Sequence, residues 1–179
     1  VRPLSDPRDN VCLSPMYCLI RSQLELFAAT ADDVKDRSAR GGVSHCAVET
    51  GTIGLRCVHC ASLPRGGDGD SGEYSKCAGN GGRRRRQQRA LLPRGAVCYP
   101  ASVRLVYQTA RNWQRYHFST CPSMPETIRT QYRELLNAKK QSRSGKDSKV
   151  YWLERLSGMG LVDTPDGGIR LRNGKFESE

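Results

Sequence analysis

Long apolar runs are missing from this sequence. No stretch approaches ~18 consecutive apolar residues, so no membrane-spanning helix is expected, and no apolar signal segment opens the chain. Aromatic residues are sparse, at 7% of 179, and apolar residues reach only 37%. That is enough for a modest core in one or two small domains and too little to order every segment. Histidine is scarce as well, three in all. No Ser-His-Asp order, no Gly-rich phosphate loop behind a strand and no paired carboxylates in an apolar setting stand out. The chain is therefore expected not to be an enzyme.

Acidic residues are the other shortage: 18 against 29 Lys and Arg, for a net charge of +11 and a pI near 9.6. That balance points to an anionic partner, nucleic acid ahead of a membrane surface. Close to half of the excess falls in residues 64–94, a Gly-rich, breaker-rich stretch holding Arg83, Arg84, Arg85 and Arg86. With almost no periodic apolar residues it reads as a disordered basic insertion.

Cysteine is plentiful, with eight residues. An even count allows a secreted disulfide scaffold, but a tight C-x-x-C beside a His suits metal better. A reducing compartment is expected, the nucleus first and the cytoplasm second.

Residues 1–13 are polar and proline-containing, and read as disordered. Residues 14–63 hold N-terminal helices, a hairpin and a knuckle. "SPMYCLIRSQLELFAAT" has helical spacing, with Ser14 as N-cap and Pro15 in the first turn. Thr30 and Asp33 offer a variant capping box for a second helix. β-compatible runs flank Thr50-Gly51, with Cys46 and Val48 on one arm and Ile53 and Leu55 on the other. Residues 95–138 resume order with a short strand, Ala96 to Tyr99. A helix over 102–121 follows, capped by Ser102 and stopped by Pro122, and then a helix opened by Ser123 and Glu126. Residues 139–148 are a linker. Residues 149–175 read as a helix plus a small hairpin turning at Asp166-Gly167-Gly168. The expected class is small α+β: a zinc-stabilised β-hairpin-plus-helix finger, packing helices on both sides, and a C-terminal helix-hairpin.

The strongest signal is a split ligand set. Cys57 and Cys60 form a C-x-x-C knuckle, and His117 and Cys121 lie four apart on the expected helix, sharing one face. Fifty-six residues separate the halves. Removing the 31 residues 64–94 leaves 25, and the insertion costs roughly 1 kcal/mol or less in closure entropy. Three thiolates and an imidazole make a complete tetrahedral set for one structural Zn2+ ion, with no position left for a substrate water. The competing reading is a core histidine among small buried cysteines. His59, His45 and Cys46 are worse placed as ligands; Cys12, Cys18, Cys77 and Cys98 read as structural or incidental.

The segments "GLRCVHC" and "GAVCYPASVRLVYQTARNWQRYHFSTCPSMPETIR" resemble a family of uncharacterised algal proteins with a Cys-Cys-His-Cys zinc-finger-like pattern. The matching positions are Cys57, Cys60, Tyr99, Pro100, Ser102, Val103, His117, Cys121, Pro122, Ile128 and Arg129. The resemblance extends over most of residues 17–170 outside the insertion, with Cys98 where an aromatic is more usual. It implies no assigned activity. More distantly the ligand order is similar to BED-type fingers, which implies DNA binding.

The expected function is thus a zinc module binding nucleic acid, DNA in particular, through the basic face of helix 102–121. Arg104, Gln108, Arg111 and Arg115 would read bases or hold phosphates, and Arg83 to Arg86 would add phosphate contacts. The alternative is a zinc-stabilised protein-interaction or scaffold domain without catalysis.

Overall fold

The computed structural model describes residues 1–39, 48–63, 92–139 and 148–176. It is a mixed α+β chain built on a four-stranded antiparallel sheet in the order β1 (Arg2–Pro3), β2 (Leu24–Ala28), β3 (Ile53–Cys57), β4 (Val97–Cys98). Six helices surround it, α1 (Asp9–Cys12), α2 (Pro15–Ser22), α3 (Ala31–Ala39), α4 (Val106–Tyr116), α5 (Glu126–Lys139) and α6 (Ser148–Gly158), with a hairpin of β5 (Leu161–Asp163) and β6 (Ile169–Leu171) at the end.

The central register explains the core. Leu24 pairs with Cys57, Leu26 with Leu55 and Ala28 with Ile53. Directly opposed residues share a face, and successive residues alternate. Leu24, Leu26, Ile53, Leu55 and Cys57 therefore line one side, where all are buried together with Ile20, Val106, Trp113, Trp152 and Leu156. On the other side Arg56 pairs with Glu25 at 2.5 Å, and the Phe27 ring lies on Gly54. A Cβ there would come within 2.6 Å of that ring, so only glycine fits this close approach.

Several expectations agree with the structure. Thr30 and Asp33 form a reciprocal capping box: Thr30 N–H donates to Asp33 Oδ2 at 2.9 Å, and Asp33 N–H donates to Thr30 Oγ1 at 3.2 Å. The C-terminal helix and hairpin lie where their pattern places them.

Other expectations are corrected. The helix from Ser14 stops at Ser22, and "LELFA" is strand β2. Its alternation of Leu24 and Leu26 with Glu25 serves a ladder as well as a helix, and pairing with β3 decides the outcome. The chain does turn at Thr50-Gly51, but β3 pairs with β2 and not with an arm containing Val48; Cys46 lies outside the described residues. Ser102 makes no side-chain cap. The 3₁₀ turn Val103–Leu105 that leads into α4 is capped by Asp163 Oδ1, which accepts from Val103 N–H at 2.6 Å.

Residues 1–13, expected to be disordered, are folded. Leu4 is fully buried and its N–H donates to Leu24 O at 3.0 Å. Asp9 is buried against Arg21, 2.8 Å away, and accepts from Tyr151 Oη at 2.9 Å. Asp6 pairs with Arg155. Arg21 is wholly enclosed and stacks over Trp152, its guanidinium carbon 4.5 Å from the ring centroid. Composition marks the segment as polar; the carboxylates are polar because buried arginines need them.

Removing one member of a buried ion pair leaves an uncompensated charge. Asp9→Ala should therefore cost about 3–5 kcal/mol in denaturant unfolding, whereas Arg8→Ala, at an exposed side chain, should change stability by about 0.5 kcal/mol or less. Burial alone would raise the Asp6 carboxyl, but the Arg8 backbone N–H and Arg155 outweigh it and hold the group below its ordinary 3.8. The unfolded chain thus takes up that proton first. The stability Asp6 contributes is present above pH ~4 and is lost as the pH falls through its lower native value. Asp6→Asn should flatten that acid limb in a pH series of thermal midpoints.

Candidate metal centre

The core face of β3 ends at Cys57, which points into the protein at the rim of the sheet. The chain then tightens, Cys60 N–H donating to Cys57 O at 3.2 Å. The backbone N–H groups of His59 and Cys60 both reach the Cys57 sulfur. On the far side of the knuckle, β4 returns antiparallel to β3, with Leu55 opposite Cys98 and Arg56 opposite Val97. The strand beside β3 at the knuckle is therefore β4, and not the arm expected before Thr50-Gly51.

The second pair of residues arrives differently from expectation. Helix α4 ends at Tyr116, and His117 is its C-cap. Residues 117–120 form a turn closed by Thr120 N–H to His117 O at 3.0 Å, and Cys121 follows outside the helix. The helix tightens and ends here because His117 N–H and Phe118 N–H both donate to Trp113 O, at 2.8 and 3.2 Å. Phe118 anchors this turn, packed edge-on to Trp113 and stacked 4.2 Å from the Tyr132 centroid.

The outcome is that Cys57, Cys60, His117 and Cys121 meet in one buried cluster, their ligand atoms all within 4.8 Å of one another. The Sγ atoms of Cys57 and Cys121 are 3.9 Å apart, those of Cys60 and Cys121 3.5 Å, and Cys60 Sγ lies 3.5 Å from His117 Nε2. Around a tetrahedral ion with sulfur at ~2.3 Å and nitrogen at ~2.0 Å, sulfurs stand about 3.8 Å apart and sulfur from nitrogen about 3.5 Å. The cluster could hold one metal ion.

Its electrostatics agree with that use. His117 Nδ1 is 3.0 Å from Arg94 O. A carbonyl only accepts, so Nδ1 carries the proton and Nε2 presents its lone pair to the sulfurs. Burial holds the imidazole below its ordinary range, which keeps it neutral. Burial and then the neighbouring Cys121 sulfur push the Cys57 thiol up to about 11, against the two N–H groups that favour its thiolate. Burial also raises Cys60, together with its hydrogen bond to Cys121. With no cationic side chain among the four, a divalent cation is the natural counter-charge for thiolates here.

Two supports lie outside the expected ligand set. Gly95, at the border of the basic stretch that ends with Arg94, has φ +77, and a Cβ on it would stand 3.3 Å from His117 Cβ. The Pro-Arg-Gly turn signal is its trace in the sequence. Arg129, which enters the sequence reading only through the family pattern, donates to Ser119 O at 2.9 Å and also to Cys121 O. It gathers the carbonyls of the turn that carries Cys121. The other thiols stay outside: Cys12 is exposed, Cys18 faces Leu13 O and Cys98 faces Gly95 O. His59 bonds Gln23 Oε1 at 2.7 Å and does not join the cluster. His45, Cys46 and Cys77 lie outside the described residues.

The expected nucleic-acid residues fall on one line. Arg104, Gln108, Arg111 and Arg115 recur at four, three and four residues, all exposed. That line lies opposite the buried Val106, Ala110, Trp113 and His117. Gln108 Nε2 bonds Asn112 Oδ1 at 3.1 Å, and Arg94 and Arg115 both approach the half-exposed Tyr116 ring. The sequence has no Asp or Glu from residue 74 to residue 125. Arg83 to Arg86 lie outside the described residues.

Comparison with known protein families, with curated proteins and with solved structures finds no match to this chain in any of the three. The algal and BED-like resemblances thus gain no support from them.

Gly95→Ala should destabilise the chain by about 1–3 kcal/mol through backbone strain, plus the crowding of His117, and should weaken metal retention in a chelator competition. Gly174→Ala is the control: its φ is +68, yet nothing lies within 4 Å of a Cβ there. It should cost less and leave metal retention unchanged.

Proposed function

We propose that Cys57, Cys60, His117 and Cys121 bind one structural zinc ion, and that the helix they fix binds nucleic acid, DNA in particular, in the nucleus. Zinc fits three sulfurs and one nitrogen in a tetrahedron, and a closed four-ligand site has no open position for catalysis. The chain is accordingly read as a binding module and not as an enzyme. The observation that carries the nucleic-acid reading is the basic line on α4, unbroken by any carboxylate and diametrically opposite the face that runs into the metal cluster. Arg pairs with guanine edges and Gln with adenine, and both hold phosphates. Arg83 to Arg86 would add phosphate contacts without sequence preference. Among the described residues no helix is long and apolar enough to cross a membrane.

Elemental analysis should return one zinc per chain. Cys57→Ser or Cys121→Ser should lower that ratio well below one. A strong chelator should melt the β3–β4 knuckle and α4 together, read by circular dichroism. An unchanged thermal midpoint after complete chelation would remove the zinc reading.

In a salt-titrated gel shift on duplex DNA, affinity should fall as salt rises. Replacing Arg104, Arg111 and Arg115 by Ala should flatten the log–log slope by about 0.9 for each phosphate that is no longer neutralised. A slope that ignores all three substitutions would remove the nucleic-acid reading and leave the metal site standing.

A further inference from the structure

A groove of about 420 Å³ opens between the first turn of α4 and helix α6, away from the metal cluster. Its floor is aromatic and rigid. Tyr107 meets Trp152 edge-on, 5.5 Å between centroids, and the Tyr107 hydroxyl is tied to that of Tyr17 at 2.7 Å. Its walls are apolar and exposed: Leu105 is 42% accessible, Val150 58% and Leu153 41%. Among the described residues these are three of the seven large apolar side chains left exposed. Scattered exposed apolar residues mean little, but three around one concave site mark a contact surface.

The rim carries one sign of charge. Arg104 and Lys149 border the groove, and Lys149 Nζ and the Arg111 guanidinium lie 5.8 and 6.0 Å from the Tyr107 ring centroid. Among the described residues no carboxylate lines it. A nucleic acid satisfies the rim and leaves the apolar walls bare, and a neutral apolar ligand does the reverse. We infer that this groove receives an amphipathic helical segment of a partner protein, with aliphatic or aromatic anchors at i, i+3 or i+4, and i+7 and with Asp or Glu flanking them. The anchors cover Leu105, Val150 and Leu153, and the carboxylates meet Arg104 and Lys149. This surface shares Arg104 and Gln108 with the basic line, but its apolar walls, Leu105, Val150 and Leu153, lie outside that line.

The test is selection of random 16-residue peptides displayed on phage against the full chain, followed by fluorescence anisotropy with the enriched peptides. The expected peptides combine apolar residues at helical spacing with acidic neighbours. Their affinity should fall at least tenfold for Val150→Gln with Leu153→Gln on one wall, and separately for Leu105→Gln on the other. It should hold for Leu136→Gln, an equally exposed leucine on α5. Each variant is compared with the parent by circular dichroism and thermal midpoint, and the two walls serve as independent replicates. Gel shifts on duplex DNA with the same variants separate the two surfaces, because wall substitutions should leave DNA affinity unchanged. No enrichment, enrichment of basic peptides, or binding that survives both wall variants would overturn the proposal. Loss of DNA affinity in the wall variants would do the same, since the groove would then belong to the nucleic-acid surface.

Discussion

Three sulfurs and an imidazole nitrogen meet at one buried point in this fold, and four separate pieces of backbone are held in place to bring them there. Each donor comes from a segment that cannot reach the point alone. Cys57 ends a central strand, Cys60 closes the turn behind it, His117 caps a helix and Cys121 returns from the turn beyond. The carbonyl of Arg94, the missing side chain of Gly95 and the guanidinium of Arg129 fix the approach of the second pair. Burial raises Cys57 and Cys60 and keeps His117 neutral. A cation held by this geometry would cross-link a strand to the end of a helix, and in so small a core such a link would add substantially to the folding energy.

A second constraint acts elsewhere in the core. Arg21 is buried under Trp152 and beside Tyr151, and Asp9 is its partner in charge. Asp6 does the same for Arg155. These pairs tie the first dozen residues to α6, which lies near the other end of the sequence. Well-packed hydrophobic residues would give comparable stability at such positions. The ionic pairs add a requirement for matched partners, and a shifted N-terminal segment would strand two buried cations. The hairpin after α6 reaches back in the same way, Asp163 capping the turn before α4 and Arg170 meeting Glu49. The described parts of the C-terminal region are thereby built into the fold that carries the metal cluster.

The split ligand set is legible in the sequence because it is written in residue types that do little else at that spacing. The Thr30–Asp33 cap and the C-terminal helix-hairpin are legible for a similar reason: each signal is local and complete within a few residues. What escapes is decided at a distance. "LELFA" satisfies both periods, and only β3 selects the strand. Asp6 and Asp9 look like ordinary solvent-facing acids until Arg21 and Arg155 are placed. Ser102 is a plausible cap by sequence, but a carboxylate sixty residues away takes the position. The end of α4 escapes because Pro122 marks where a helix must stop, while the packing of Phe118 on Trp113 and Tyr132 holds a turn that ends it five residues sooner.

Helix α4 shows how these layers meet. One face is apolar and runs through Val106, Ala110 and Trp113 to His117, so packing fixes its rotation. That rotation puts Gln108, Arg111 and Arg115 outward as one line in the opposite phase of the 3.6-residue period, and Arg104 on the preceding 3₁₀ turn continues it. Its axial position is set at the other end by Asp163, through the turn at Val103. Packing therefore fixes the backbone of the basic line, while its exposed side chains keep their rotamer freedom. The same fixation places Leu105 and Tyr107 against α6 and creates the groove beside that line. The two surfaces are distinct in chemistry, one polar and cationic, the other apolar with a cationic rim. Arg104 and Gln108 border both, because the line and the groove start from the same turn that leads into α4.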